Sequence, residues 1–425
     1  MNILFVSGHL PSPNSRQAGQ KVSYHLCRFL AGRHRADLLS FATAAEYDSC
    51  DPGAMEIFAT REVVPITTAR RLLGLAHVPT LPLAVAARNK HSFRDTISSA
   101  VRSNGHDVVL FDNMAMWQYA GDVSSGIFRV GLAQDVLSQL WTRRAETWQG
   151  LGAFAACVEA QRLRRWEANT LRQLDLVCAL NLKDSRLLSA LAEDVPQCVL
   201  QPWFSRPLEV NSASPAKDDN SIVFAGAFDR SENVDAAAFA VTEILPRVAA
   251  EVPNVELHLV GAACEKLPRR VAKHPRVRVG GFVPDLQTFL ARMQIALLPL
   301  RLGAGIKIKV LEAMAGGLAL VTTPVGAEGI EAQNDVHFLV GNTAEELARH
   351  AIALLQNLSL RVQLGERARE FIQNNYDFEK SARDFEWTLL QRLSERQFRA
   401  RRTGGLAIRD GAGSCAPTRE QVPGG

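Results

Sequence analysis

The sequence lacks any run of about 18 apolar residues, the length that a membrane-spanning helix needs. Its seven cysteines are scattered and form no C-x-x-C pair, which argues against a disulfide framework and a structural zinc site. Neither sign of charge is in large excess, because the sequence has 48 Lys+Arg and 44 Asp+Glu. A broadly basic surface for binding nucleic acid is therefore not indicated. The N-terminus has no basic lead-in to its short apolar run, so we interpret that run as a buried strand. Together these absences predict a cytoplasmic protein.

Two alternating series of apolar runs and helical patterns fill most of the chain. Its 425 residues suffice for two or three domains of roughly 100–200 residues each. Apolar runs separated by segments of helical period predict doubly wound parallel sheets with helices on both faces. We therefore predict an α/β chain of two Rossmann-like domains. The N-terminal domain spans residues 1–203, a polar, proline-containing linker spans 204–220, and the second domain spans 221–375.

The end of the chain has a different composition. A helical pattern over 376–396 is expected to pack back toward the N-terminal domain. Residues 397–425 are rich in Gly, Arg and Pro, and we predict that they form a disordered tail.

The most informative stretch is a strand, a glycine loop and a helix start over residues 297–317. Gly303 and Gly305 allow the backbone to approach a phosphate closely, and the helix start supplies free N–H donors and positive potential. Lys307 and Lys309 lie where the helix dipole disfavours cations, so a bound anion would explain their placement. Glu312 is placed to accept hydrogen bonds from sugar hydroxyls. The stretch predicts a site for a phosphate and a ribose, although a tight turn with solvated lysines fits the periodicity equally well.

The block KVLEAMAGGLALVTTPVGAEG over 309–329 resembles the donor-binding signature of glycosyltransferase family 4, among the glycosyl transferases group 1. Its Gly-x-Gly-x-Lys-x-Lys-Val-Leu-Glu setting resembles a variant branch of that family. The motifs FAGAF, PNVELHLVG and GGFVPDL occur upstream in the expected order. The resemblance implies a GT-B fold, in which two Rossmann-like domains face each other across a cleft. The C-terminal domain of such a fold binds a nucleotide-sugar donor, and the N-terminal domain binds the acceptor.

The resemblance also implies roles for individual residues of the C-terminal domain. By this resemblance Glu312 binds the ribose hydroxyls of the donor, and the backbone amides of Val310 and Leu311 hold the diphosphate. Phe282 and Val283 are candidates for the base pocket, although Phe282 could equally belong to the core.

Two departures from the family pattern concern the charge in the donor site. The family often has a further glutamate that contacts the transferred sugar, and Ala304 stands at that position. The usual basic pair after the first strand of the donor domain is also missing, because Ala227 and Phe228 follow Gly226 there. Lys307 and Lys309 are the residues that could replace this lost positive charge.

The N-terminal domain is expected to supply the acceptor side of the cleft. Asp112 and Asp135 follow predicted strands at their carboxyl ends, where ligands bind in such sheets, so both are candidate catalytic residues. Each of them could instead be a helix cap. His9 and Gly19 are candidates for the acceptor or phosphate side, with a simple turn as the alternative for Gly19.

The sequence thus predicts a glycosyltransferase that moves a sugar from a nucleotide-diphosphate donor to a saccharide or lipid-linked acceptor. No Asp-x-Asp motif occurs, so we expect no metal and no cofactor beyond the donor itself. The resemblance implies a retaining reaction, in bacterial polysaccharide or glycolipid biosynthesis. Two alternatives stay open, namely a nucleotide-sugar epimerase of the same architecture and a non-catalytic protein that binds sugar nucleotides.

A Trp- and Arg-rich segment bears on the location of the protein. Four of the six tryptophans lie between residues 117 and 166, together with Arg143, Arg144, Arg162, Arg164 and Arg165. Such residues beside apolar surface suit the headgroup region of a membrane, which predicts a peripheral contact at its cytoplasmic face. The alternative is that they are buried anchors and a solvated helix face.

Overall fold

The computed structural model describes residues 1–15, 17–67, 69, 77–78, 80–202 and 218–409, with side chains up to residue 398. Most of the predicted linker and the last part of the predicted tail therefore lie outside the described residues.

Seven parallel strands form the first sheet, in the order β3-β2-β1-β4-β5-β6-β7. The apolar sequence of the first strand, NILFVS, is buried from its second residue onward, as expected for a strand with helices on both faces of the sheet. Ser7 at the end of this strand pairs with Ser40 and Asp112, so the register brings these polar residues together at one edge. The strands are β1 (Asn2–Ser7), β2 (Arg35–Ala42), β3 (Thr60–Pro65), β4 (Val108–Asp112), β5 (Phe128–Ala133), β6 (Leu176–Ala179) and β7 (Gln197–Val199).

Six parallel strands form the second sheet, in the order β10-β9-β8-β11-β12-β13. Its central strands are continuous apolar runs, and their residues form one core with the helices that cover the sheet. In both sheets the first strand lies in the interior and the order reverses beside it, which is the arrangement that creates a binding crevice at the carboxyl ends. The strands are β8 (Ser221–Ala225), β9 (Glu256–Val260), β10 (Val277–Gly281), β11 (Ile295–Leu298), β12 (Ala319–Thr322) and β13 (Leu339–Val340).

Helices connect most of the strands and cover the sheets. In the N-terminal half they are α1 (Ala18–Ala31), α2 (Ala44–Asp48), α3 (Leu83–Ala86), α4 (His91–Asn104), α5 (Leu137–Thr147), α6 (Gly150–Leu171) and α7 (Leu182–Ser189). In the C-terminal half they are α8 (Ser231–Phe239), α9 (Leu245–Glu251), α10 (Arg269–Ala272), α11 (Leu286–Arg292), α12 (Ile308–Ala315), α13 (Pro324–Ala327), α14 (Ala344–Gln356), α15 (Leu358–Asn375) and α16 (Phe378–Arg409). No helix in the described part of the chain is long and apolar enough to cross a membrane.

The last helix, α16, returns from the C-terminal domain to the N-terminal domain. Phe378, Ala382, Phe385 and Leu389 lie on one face of it and are buried in a core formed with β1, β2 and α1. The Glu386 carboxylate supports this packing through a 2.7 Å contact with the His34 ring. The helix continues to Arg409, so the first part of the predicted disordered tail, from residue 397, is helical.

Candidate functional site

A cleft of about 660 Å³ lies between the two domains, where the carboxyl ends of strands from both sheets meet. The C-terminal domain contributes the ends of β8 and β9, the glycine loop after β11 and the start of α12. The N-terminal domain contributes the first turn of α1 and the residues that follow β5. This is the position at which doubly wound sheets bind their ligands.

Two helices begin at the wall of this cleft and turn their N-termini toward it. Ala18 and Gly19 open α1, Ile308 and Lys309 open α12, and all four residues line the cleft. Neither helix has a side-chain N-cap. Unpaired N–H groups and the positive ends of two helix dipoles therefore act on the same volume, which favours an anion.

The amides at the start of α12 differ in their hydrogen bonding. The amides of Val310 and Leu311 both donate to the carbonyl of Lys307, over 2.8 and 3.4 Å, and both side chains are buried in the core. The amides of Ile308 and Lys309 donate to no described residue. Within the first turn the amides of Val310 and Leu311 thus already have an acceptor, whereas those of Ile308 and Lys309 face the cleft without one among the described residues.

Lys309 points across the cleft wall to α8. Its Nζ atom lies 2.5 Å from Oδ1 of Asn233, whose own Nδ2 donates to the carbonyl of Ala227 over 2.7 Å. The amide of Asn233 thus fixes the position of the lysine. Burial, with Arg230 and Lys307 nearby, lowers the pKa of Lys309 to about 7. A bound anion would raise the pKa of Lys309 toward its ordinary value, because it would place a negative charge beside the ammonium group.

Lys307 is buried and holds the glycine loop together. Its Nζ atom donates to the carbonyls of Ala304 and Gly305, and it lies 3.9 Å from Oε2 of Glu328. Burial lowers the pKa of Lys307 to about 8, although Glu328 opposes this effect. Lys307 lines the cleft, but its hydrogen bonds shape the loop.

Glu312 also lines the cleft, one turn after Lys309 on α12. Burial raises the pKa of this carboxyl, while Lys21 of the N-terminal domain and Lys309 counteract the rise. Its carboxylate accepts no hydrogen bond from any residue that the structure describes. An acceptor group that is partly buried, faces a cleft and has no protein partner is suited to bind the hydroxyls of a ligand.

The glycine loop touches the N-terminal domain directly. Gly305 has φ +70°, and a Cβ atom there would lie 2.8 Å from the carbonyl oxygen of Gln134 and 3.2 Å from Cβ of Asp135. Only a glycine permits both the backbone conformation and this approach. Gly303, with φ +119°, lines the cleft beside it, and its carbonyl accepts a hydrogen bond from Arg143.

Phe282 and Val283 form the outer part of the cleft, after β10. The side chain of Phe282 is 64% exposed, so Phe282 does not belong to the core. Val283 is partly buried and packs against the core of the C-terminal domain. An exposed aromatic ring at the mouth of a polar cleft is suited to stack on a planar ring.

Asp135 is the carboxylate that the N-terminal domain presents to the cleft. Burial raises the pKa of Asp135, although Arg230 and Lys307 oppose the rise. It accepts no hydrogen bond from the described part of the chain. Asp135 can therefore act on a ligand.

Asp112 is held in place by the protein itself. It is buried and accepts hydrogen bonds from Ser7 Oγ over 2.7 Å and from Gln134 Nε2 over 2.9 Å. Burial raises the pKa of Asp112, against the effect of these hydrogen bonds. The same Gln134 packs against Gly19, where a Cβ atom would meet its Oε1 at 2.0 Å. Asp112 thus orients Gln134, which fixes the first turn of α1.

A smaller cavity of about 160 Å³ lies beside the cleft in the N-terminal domain and shares Gln134 and Asp135 with its lining. His9 and Arg88 line it, and His9 Nδ1 lies 2.8 Å from Oε1 of Glu46. Burial lowers the pKa of His9, and the Glu46 hydrogen bond opposes this effect. Although burial by itself would raise the pKa of Glu46, hydrogen bonds from His9 and Thr43 lower it to about 2. His9 thus lies in this cavity and not in the main cleft.

Four contributions to the site were not identified from the sequence: Lys21, Arg230, Asn233 and the ion-pair cluster around Glu328. Arg230 lines both cavities. It lies three residues after Ala227, so it supplies positive charge close to the positions where the family usually has its basic pair. Its place after the carboxyl end of β8 is a signal that the sequence carried. Asn233 meets Lys309 only through the tertiary fold.

Glu328 joins the two domains beside the cleft. Its two oxygens accept from Arg143 Nη1 and Nη2 over 2.8 and 2.6 Å, and Lys183 lies 3.1 Å away. Arg143 and Lys183 belong to the N-terminal domain, whereas Glu328 follows α13. Burial would raise the pKa of Glu328, but these cations lower it.

Residues 219–357 match the family model described as glycosyl transferases group 1. An uncharacterized 44.6 kDa protein in the cps region of Klebsiella pneumoniae is 26% identical over 168 residues, which is 38% of this chain and 43% of that protein. An uncharacterized glycosyltransferase of Methanocaldococcus jannaschii is 36% identical over 86 residues, 20% of this chain and 22% of that protein. The chain thus spans less than half the length of these curated relatives.

Solved structures match nearly the whole chain. Sucrose-phosphate synthase from Thermosynechococcus elongatus has a TM-score of 0.67 at 16% identity, over 93% of this chain and 100% of that one. Anabaena HepE in complex with UDP-glucose has a TM-score of 0.65 at 13% identity, over 92% and 100%. A Staphylococcus aureus TarM mutant in complex with UDP has a TM-score of 0.66 at 11% identity, over 92% and 100%. The fold is GT-B. This confirms the predicted fold class, and the predicted resemblance to group 1 glycosyl transferases is confirmed for residues 219–357.

Proposed function

We propose that this GT-B protein is a glycosyltransferase that moves a sugar from a nucleotide-diphosphate donor to a saccharide or lipid-linked acceptor. The observation that carries the proposal is the start of α12, where the half-buried Lys309 and two free amides face the same cleft as the unpartnered carboxylate of Glu312. A diphosphate supplies the negative partner charge that Lys309 lacks, and the hydroxyls of a ribose supply the hydrogen-bond donors that Glu312 lacks. The matched family model over residues 219–357 supports the same assignment.

The donor has one orientation that uses each of these groups. Its diphosphate lies against Lys309 and the amides of Ile308 and Lys309, and its ribose hydroxyls donate to Glu312. The base then stacks on Phe282 at the outer end of the cleft. The sugar points toward the N-terminal domain, where Asp135 and Arg230 line the cleft.

In the transfer step the bond between the sugar C1 and the β-phosphate oxygen breaks, and a bond from C1 to the acceptor oxygen forms. The acceptor hydroxyl proton passes to Asp135 or to the departing diphosphate. Lys309 and the α12 N-terminus stabilise the charge that develops on the diphosphate, so no resident metal or cofactor is needed. We propose retention of the anomeric configuration, as the family resemblance implies.

The acceptor enters from the N-terminal domain in this proposal. The smaller cavity beside Gly19 shares lining residues with the cleft and is also lined by the polar side chains of His9 and Arg88. Such groups suit the hydroxyls or the phosphate of a saccharide acceptor. Bacterial polysaccharide or glycolipid biosynthesis on the cytoplasmic side is the setting that we propose, since one relative lies in a cps region.

Calorimetric titration with UDP and other nucleoside diphosphates tests the donor site. Glu312→Gln keeps the volume of the side chain but removes its charge. We therefore expect the Kd for the nucleoside diphosphate to rise about tenfold or more. Glu370→Gln, at an exposed position on α15, is the matched control and should bind as the unmodified protein does. Unchanged affinity in Glu312→Gln, or a loss in Glu370→Gln, would overturn the assignment of Glu312.

A second measurement separates transfer from the alternatives. Donor consumption is followed with and without saccharide acceptors, using a panel of nucleotide sugars. Transfer that depends on the acceptor supports the proposal. Conversion of the donor in its absence to an isomeric nucleotide sugar would identify an epimerase instead, and binding with no turnover across the panel would identify a non-catalytic protein.

A further inference from the structure

An exposed apolar stripe lies on the first turns of α6. Leu151 and Phe154 are 88% and 70% exposed, and Val158 is exposed as well. Their spacing of three and four residues places them on one face of the helix. No charged residue occurs from Gly150 to Val158. A contiguous apolar stripe of this kind marks an interaction surface, whereas single exposed apolar residues do not.

The same face of α6 becomes basic toward its end. Arg165 and Arg172 follow the stripe at the same helical spacing, and both they and Arg164 are exposed. Arg164 and Arg165 make no ion pair with any residue in the described ranges. The two acids of the helix, Glu159 and Glu167, are buried and do not lie on this face. The exposed face is therefore apolar at one end, basic at the other, and free of acidic residues.

This face lies next to the acceptor side of the site. The carboxylate of Glu159 accepts a hydrogen bond from the amide of Leu83 at the start of α3, so α3 packs beside the stripe. Leu83 is itself exposed, whereas its neighbour Ala84 lines the small cavity together with His9 and Arg88. Two adjacent residues of α3 thus face the surface beside the stripe and the proposed acceptor cavity.

The Trp- and Arg-rich segment is divided between the core and this surface. Trp117 is fully buried and Trp166 packs against the core, while Arg143 and Arg162 form ion pairs. Trp148 alone among the four tryptophans of the segment is exposed, at the turn that leads into α6. The segment therefore presents Trp148, the apolar stripe and the unpaired arginines to solvent.

We propose that this face of α6 docks on an anionic lipid bilayer. Leu151, Phe154 and Val158 enter the boundary between headgroups and acyl chains, and Arg164 and Arg165 contact lipid phosphates. At about 1.5 Å per residue the stripe is about 10 Å long, and in this arrangement α6 lies in the plane of the membrane, so that the stripe and the arginines reach the bilayer together. A second copy of the chain fits less well, because the stripe offers no acid to the arginines of a partner copy. A bilayer supplies both an apolar layer and anions.

Vesicle sedimentation with the full-length protein tests this proposal. We expect binding to vesicles of phosphatidylcholine with phosphatidylglycerol, and much weaker binding to phosphatidylcholine alone. The double variant Leu151→Ser with Phe154→Ser should bind the anionic vesicles about tenfold or more weakly. Arg164→Ala with Arg165→Ala should lower binding to anionic vesicles roughly 30-fold, at about 1 kcal/mol for each arginine, and leave binding to neutral vesicles unchanged.

Leu358→Ser with Val362→Ser is the matched control, because both residues are exposed apolar positions on α15 of the other domain. It should bind vesicles as the unmodified protein does. UDP titration of every variant shows that the fold and the donor site are intact, so membrane docking and the proposed function fail or succeed separately. Equal vesicle binding by the Leu151/Phe154 variant and the unmodified protein overturns the proposal. The proposal is also overturned if the unmodified protein does not bind anionic vesicles. This includes the case in which sedimentation equilibrium shows that the stripe mediates self-association instead.

Discussion

The affinity for a nucleoside diphosphate should fall steeply as the pH rises above neutrality, because Lys309 must be protonated to hold the diphosphate. Burial lowers its pKa to about 7 in the free protein. A bound diphosphate stabilises the charged form and raises the pKa, so binding is tightest below pH 7 and weakens as Lys309 loses its proton.

The magnitude follows from the fraction of Lys309 that is charged. About half is protonated at pH 7 and about one part in a hundred at pH 9, so Kd should rise roughly 50-fold between these two values. The terminal phosphate of UDP contributes little to this change, since its second pKa is near 6. At pH 8 binding should take up about 0.9 proton.

Titration calorimetry in two buffers of different ionisation enthalpy measures both the affinity and the proton uptake. Lys309→Arg stays charged throughout this range, so its Kd should change much less between pH 7 and pH 9 than that of the unmodified protein, and the change that remains reports Lys307, whose pKa is lowered to about 8. Lys380→Arg, exposed on α16, is the control and should keep the full pH dependence. A Kd that is the same at pH 7 and pH 9 in the unmodified protein, or an equal slope in Lys309→Arg, would refute the role of Lys309.

Three further substitutions probe the cleft. Glu328→Gln removes the negative charge that Arg143 and Lys183 share. The free energy of unfolding, measured in urea, should therefore fall by about 3 kcal/mol. An unchanged value would show that this cluster contributes nothing to stability. Gly305→Ala meets a strained φ and the Gln134 carbonyl, so it should lower UDP affinity about tenfold, and normal binding would contradict the close approach. Asp135→Asn should leave UDP affinity intact and slow transfer about 100-fold, and full activity would remove Asp135 from the mechanism.

The strands were the most predictable part of the fold. β1, β8 and β12 each coincide with an apolar run of the sequence, because strands buried on both faces need continuous apolar sequence. β7 was not predicted, since it has three residues, is only partly buried and carries almost no pattern. The length of α16 was also underestimated, because the Gly- and Arg-rich composition after residue 396 suggested a tail.

The candidate site divides in the same way. The loop with Gly303 and Gly305, and Glu312 after it, follow from local sequence, because a glycine turn and a helix start lie within one short stretch. The role of Lys307 did not follow, since its hydrogen bonds to the loop depend on the folded path of the backbone. Asp112 and Asp135 have equivalent places after strands in the sequence, and only their hydrogen-bonding partners distinguish them.

The sequence by itself determined two parallel α/β sheets and a phosphate-type loop before a helix, because these depend on local periodicity and on residues close together in the chain. Only the tertiary structure decided which groups face the cleft without a partner. Asn233 reaches Lys309, Lys21 approaches Glu312, and Glu328 joins Arg143 across the domains, each over a long separation in sequence. The charge, burial and pKa of these groups arise from neighbours that the chain brings together only when it folds.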